Sequence, residues 1–216
     1  MSERIIVKEF LVDGPAKPDK LFILAHGAGK GMASPFMDTV AKGVAQAGVR
    51  VVRFHFPYME EMVRTGKRRP PNGGRILRAC YSELITHCIE KEGCPRSRII
   101  IGGKSMGGRI ASMIADEQQI AGVVCLGYPF HPPRKPDVLR TEHLKTLTTP
   151  TLICQGERDP FGGKAEGFQD IVSTAVRFHW LADGNHNFTP RKQSGHSEEG
   201  NLQEAIRAVR GFIQGL

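Results

Sequence analysis

Ser105 lies in Gly103-Lys104-Ser105-Met106-Gly107, a G-x-S-x-G pattern between the apolar run RIII and an amphipathic stretch. Strand, sharp turn and helix in that order lift a serine hydroxyl above a sheet, with glycines where the two elements pass too closely for side chains. A serine at its ordinary pKa is a weak nucleophile and needs a base that an acid orients. The chain supplies both downstream. Asp159 stands in Gly156-Glu157-Arg158-Asp159-Pro160, just past the apolar run 151–155, and His186 in Asp183-Gly184-Asn185-His186, just past 176–181. Serine, acid and histidine thus each follow the end of a predicted strand, in one of the chain orders such triads adopt.

Other residues compete for these roles. Glu157 and Asp183 are alternative acids. His179 reads as a strand residue and His196 as a solvated one. His55 ends a predicted strand on the same face, where it either lines a pocket or makes a structural hydrogen bond. An oxyanion needs two backbone N–H donors. Met106, directly after Ser105, is one candidate; Ala28, in the turn His26-Gly27-Ala28-Gly29, is the other. A phosphate loop is excluded, because G-x-x-x-x-G-K-[ST] requires glycine where Arg98 stands. The eight histidines form no metal-like pairing, so no metal and no cofactor is expected.

The elements that position these residues follow from hydrophobic periodicity. Strands are predicted over 4–12, 20–25, 49–54, 98–102, 121–126, 151–155 and 176–181. Helices are predicted over 36–47, 75–92, 106–116, 164–173 and 201–214, with a short piece near 141–147. Continuous apolar runs alternating with amphipathic ones imply a mostly parallel sheet covered on both faces. The first two strands are joined only by DGPAKPD, too short for a parallel crossover, so that pair is expected to be antiparallel. Residues 56–74 are predicted to be irregular. Only about two dozen residues separate the strands around 127–150, room for one short helix and not for a cap domain.

The 216 residues, 40% hydrophobic and 24% charged, fit one globular domain, 1–216, and exclude a disordered chain. No apolar run reaches the ~20 residues a bilayer requires. Charge in MSERIIVKEF and five cysteines without CxxC lead to the expectation of a cytoplasmic protein with reduced thiols. The net charge of +8 is concentrated: eight basic residues between 50 and 80 face only Glu60 and Glu61. Arg68 and Arg69 in that stretch, with His26 and His55, are candidate substrate contacts, and the local charge favours an anionic substrate. Nucleic acid is disfavoured as a partner, because only Phe54, Phe56 and Tyr58 accompany the basic strip.

Taken together, HGAG, GKSMGG, GERD and DGNH resemble the α/β-hydrolase superfamily over nearly the whole chain. HGAGKGMASPFM, RFHFPYME and GGKSMGGR are similar to its small branch that includes testis-expressed protein thirty and subunit three of the non-specific lethal chromatin complex. The likeness to dienelactone hydrolases is more distant, since those carry cysteine where Ser105 stands. The resemblance implies an α/β/α sandwich derived from an eight-stranded parent, here with about seven strands. It also implies Ser105 as nucleophile, His186 as general base and acid, and Asp159 as its orienter. The expected activity is hydrolysis of a small ester, thioester or amide through an acyl-enzyme. The competing expectation is a non-catalytic module of the same fold that binds an acidic partner.

Overall fold

A computed structural model describes residues 9–216. Its centre is a seven-stranded sheet of β1 (Phe10–Asp13), β2 (Leu21–Ala25), β3 (Arg50–Phe54), β4 (Ile99–Lys104), β5 (Gly122–Leu126), β6 (Thr151–Gly156) and β7 (Val176–Leu181). The spatial order is β1-β3-β2-β4-β5-β6-β7, parallel except for β1. Five helices cover it: α1 (Pro35–Ala45), α2 (Pro57–Thr65), α3 (Gly74–Glu92), α4 (Met106–Gln118) and α5 (Glu198–Gln214). Alternate strand residues feed two cores. Leu21, Ile23 and Val52 pack with α3 and α4, whereas Phe22, Leu24 and Val51 pack with α1 and α5. This is the expected α/β/α sandwich. Residues 127–150 carry only a 3₁₀ turn, Glu142–Lys145, so no cap domain is present among the described residues.

Chain order reverses beside β2, whose neighbours are β3 on one edge and β4 on the other. A crevice opens at the carboxyl ends of the strands at such a point, where open α/β sheets bind ligands. The His26 turn leaves β2 and the Ser105 turn leaves β4 side by side, with Ala25 in register with Gly103.

Three expectations need correction. First, β1 is antiparallel, but it pairs with β3 and not with β2: Phe10 opposes Phe54 and Asp13 opposes Val51. Both edges of β2 are occupied by parallel partners, so the incoming strand takes the outer edge of β3. Arg53 fixes it there, bonding Asp13 at 2.8 Å and the Met32 carbonyl at 3.0 Å. Gly14, at φ +94°, carries the chain past Val49 where a Cβ would collide with main chain. The expected strand's residues 4–8 lie outside the described ones.

Second, 56–74 is not wholly irregular. Pro57 starts α2, Tyr58 and Met59 bury its inner face, and Gly66 ends it in the left-handed region. Third, 164–173 is two 3₁₀ turns, Lys164–Glu166 and Phe168–Asp170, separated by Gly167 at φ +68°.

A buried tyrosine ties the cover to the central strands. Tyr81 of α3 is fully buried; its hydroxyl accepts from the Gly102 N–H at 2.9 Å. The oxygen also lies 2.7 Å from the carbonyls of both Ile23 and Gly102, which share its one proton. Tyr81→Phe strands these main-chain groups without water. The expected loss is about 1–3 kcal/mol of stability, read as a lower urea midpoint with unchanged slope; an unchanged midpoint would show that the hydroxyl bonds contribute nothing.

Candidate active site

The turn after β4 holds Ser105 at φ 52° and ψ −113°, a conformation a non-glycine residue rarely adopts. Such strain costs on the order of 1–3 kcal/mol and persists only where surrounding contacts enforce it. Here the enforcement is close packing. A Cβ on Gly107 would stand 2.6 Å from the Ala25 carbonyl oxygen and 2.7 Å from that of His26, and one on Gly103 would also strike Ala25. Glycine lets α4 begin directly against β2. Ser105 N–H donates to the Leu126 carbonyl at 3.0 Å, and Arg109 N–H donates to the Ser105 carbonyl at 3.1 Å, so the turn is pinned from both sides.

The structure brings Ser105, His186 and Asp159 together. Ser105 Oγ lies 2.9 Å from His186 Nε2, and His186 Nδ1 lies 2.8 Å from Asp159 Oδ2. Asp159 is 2% exposed, and both of its carboxylate oxygens accept hydrogen bonds. Oδ1 accepts from the Phe161 N–H at 2.8 Å, and Oδ2 lies 3.0 Å from Gln155 Nε2. Carboxylate acceptance at Nδ1 puts the ring proton there and leaves Nε2 free to accept the serine proton. Burial lowers the His186 pKa; the Asp159 hydrogen bond opposes that shift, and Lys104 adds to it.

Glu157 and Asp183, the alternative acids, are engaged elsewhere. Lys164 bonds Glu157 at 2.8 Å, and Arg158 and Arg191 bond Asp183 at 2.7 and 2.6 Å, holding its carboxyl down at about 2. His179 pairs with Glu204 at 3.0 Å, and His196 is exposed. A second serine–histidine contact joins Ser112 and His143 at 2.9 Å. Ser112 is buried in α4 and its hydroxyl donates back to the Arg109 carbonyl, while no carboxylate among the described residues bonds His143.

The turn after β2 is held by its carbonyls. Tyr58 OH lies 3.0 Å from the Ala28 carbonyl and 3.3 Å from that of Gly27, which His26 Nδ1 also reaches at 2.7 Å. A trans peptide sets N–H opposite C=O, so these bonds direct the Ala28 N–H away from Tyr58. That amide has no protein acceptor among the described residues. Met106 opens α4, where the first N–H groups lack intrahelical acceptors and the helix dipole is positive.

The proposed contacts His26, His55, Arg68 and Arg69 do not line the cavity beside Ser105. His26 is fully buried and accepts from the Phe56 N–H at 3.0 Å; both ring nitrogens are committed, and burial drives its pKa down to about 4. His55 is half-buried behind Gly31. Arg69 bonds Glu61 at 3.2 Å, and Arg68 is exposed. The cavity itself, about 940 Å³, is bounded by Ala28, Lys30, Phe36, Phe161 and His186, with Glu198 and Glu199 of α5 at one side.

Sequence reasoning missed Gln155, Tyr58 and Lys104. Gln155 had a readable signal, a polar residue closing the apolar run TLIC. Its side chain bonds both main-chain polar groups of Tyr128 and the Gly162 carbonyl as well as Asp159.

The alpha/beta hydrolase domain model matches residues 18–214. A serine hydrolase homologue from Coxiella burnetii superposes with TM-score 0.69 at 18% identity, covering 98% of this chain and 99% of that one. Dienelactone hydrolase from Anabaena variabilis gives 0.72 at 20% identity, covering 95% and 90%. A serine hydrolase without lid from Xanthomonas campestris gives 0.62 at 15%, covering 95% and 86%. With the sheet order, the elbow and this match in agreement, the chain belongs to the alpha/beta hydrolase family.

Proposed function

We propose that the protein is a serine hydrolase that cleaves a small ester, thioester or amide through an acyl-enzyme. The observation that carries this reading is the contiguous Ser105–His186–Asp159 relay, at 2.9 and 2.8 Å, beside an open cavity. Ser105 Oγ attacks the carbonyl carbon as His186 Nε2 takes its proton. Asp159 holds the ring in the accepting tautomer and stabilises the imidazolium that forms. The tetrahedral oxyanion takes hydrogen bonds from the Ala28 and Met106 amides. His186 then returns the proton to the leaving group, and a water activated by the same nitrogen releases the acid. No step calls for a cofactor.

Several features support an enzyme over a docking module. Strained backbone at Ser105 and a carboxylate taken out of water at Asp159 are costly in a surface that only docks. Within the family, HGAGKGMASPFM and GGKSMGGR favour the small branch that includes testis-expressed protein thirty. The proposed substrate is a small acyl compound, because no cap domain among the described residues encloses the cavity beside Ser105.

Ser105→Ala is expected to lower kcat on an activated ester by about 10⁴-fold while the urea midpoint stays close to that of the parent. Fluorophosphonate labelling that persists in purified Ser105→Ala would remove this serine from the mechanism. Asp159→Asn mis-sets the His186 tautomer, with an expected loss in kcat on the order of 10²–10⁴ and little change in KM. A full-rate Asp159→Asn enzyme with an inactive Asp183→Asn counterpart would reassign the acid.

A further inference from the structure

Lys104 precedes Ser105, and its side chain is buried at the edge of the cavity beside that serine. The residue is 8% exposed. Its ammonium donates to the His186 carbonyl at 2.5 Å and lies over the rings of Phe36 and Phe188 at 5.5 and 5.6 Å. A Cβ on Gly127 would stand 2.7 Å from Nζ, so the pocket is closely fitted to the ammonium. No carboxylate salt-bridges it among the described residues. A buried cation without an ion partner costs several kcal/mol unless something offsets it. The carbonyl, two ring faces and the nearby Asp159 charge supply the offset.

We propose that Lys104 is a positioning residue for His186: its ammonium ties down the loop that carries the imidazole and, as a neighbouring positive charge, disfavours the imidazolium. This rests on the serine-hydrolase reading only in its consequence for rate. An anion-binding role fits less well, because the ammonium is already engaged by a carbonyl and two aromatic faces.

The other charged groups around the ring are few. Asp159, on the turn after β6, bonds Nδ1 and favours the imidazolium. Lys30, from the turn after β2, and Glu198 and Glu199, from α5, border the same cavity. Glu157 and Asp183, on the flanking turns, are neutralised by Lys164, Arg158 and Arg191. Lys104 is the buried cation beside the ring: a Cβ on Gly127 would meet both its Nζ, at 2.7 Å, and His186 Cε1, at 3.4 Å. Burial lowers its own pKa to about 8, with Asp159 opposing, so it stays charged through the range in which a histidine titrates.

The sign follows directly. A nearby cation lowers the His186 pKa, so the neutral, proton-accepting ring survives to lower pH. Removing the charge should raise the midpoint. The test is an NMR titration of the His186 Cε1 proton, assigned with His186→Gln, in the parent, Lys104→Met and Lys104→Gln. Methionine keeps the packing without charge; glutamine also keeps a donor for the His186 carbonyl. Both variants should raise the midpoint by about 0.5–1 pH unit, and the acid limb of kcat/KM should move up equally. A parent-like midpoint in both variants, or a rise in Lys104→Met alone, would overturn the electrostatic role. Fluorophosphonate labelling of the parent reports separately on Ser105, so failure of the serine-hydrolase reading is distinguishable from failure of this one.

Discussion

Contact between the Ala25 main chain and the two glycines flanking Ser105 is the constraint on which the rest of the site depends. The Ala25 carbonyl occupies the space that a Cβ on either Gly103 or Gly107 would need. With both side chains absent, β2, β4 and α4 converge closely enough to force Ser105 to φ 52°. The same convergence brings the His26–Ala28 turn beside the N-terminus of α4. The proposed nucleophile and the candidate oxyanion donors are thus products of one packing event. Any residue larger than glycine at 103 or 107 would disturb both together.

The proposed base and acid are positioned by a different means, a buried polar network in which the partners are themselves held. Gln155 links Asp159 to the Tyr128 and Gly162 main chain. The His186 turn is held by three side chains. Asn201 of α5 donates to the Ala182 and Phe188 carbonyls, Lys104 of β4 donates to that of His186, and Asn185 Oδ1 accepts from the Asn187 and Thr189 N–H groups. Buried networks rigidify when every member is satisfied and are costly when one is not. The hydrogen bonds that hold the imidazole therefore act over a pre-set geometry, which the proposed reaction requires.

How far the sequence revealed this depends on what each signal encodes. Ser105, Asp159 and His186 were legible because each stands a few residues past a predicted strand, and a parallel sheet gathers such positions at one edge. The two glycines were legible from the G-x-S-x-G pattern itself. The partner of β1 was not, since loop length reports direction and says nothing about which edge is vacant. Helix α2 was missed because it buries only Tyr58 and Met59, too few for a helical stripe. Charge and ring chemistry drew attention to Arg68, Arg69 and His26, yet composition does not tell which way a side chain faces. His26 is spent on Phe56 and Gly27, and Arg69 on Glu61. Lys104 passed as motif filler, because its partner is a main-chain carbonyl 82 residues away.

In the proposed reaction the Ser105 hydroxyl, activated by His186, forms a covalent acyl intermediate. Rapid mixing with excess activated ester, acid quenching and peptide mapping by mass spectrometry test it most directly. A burst approaching one leaving group per chain is expected, with an acyl adduct on the peptide carrying Ser105. Turnover with no burst and no adduct, or an adduct on Ser112 or a cysteine, would contradict it.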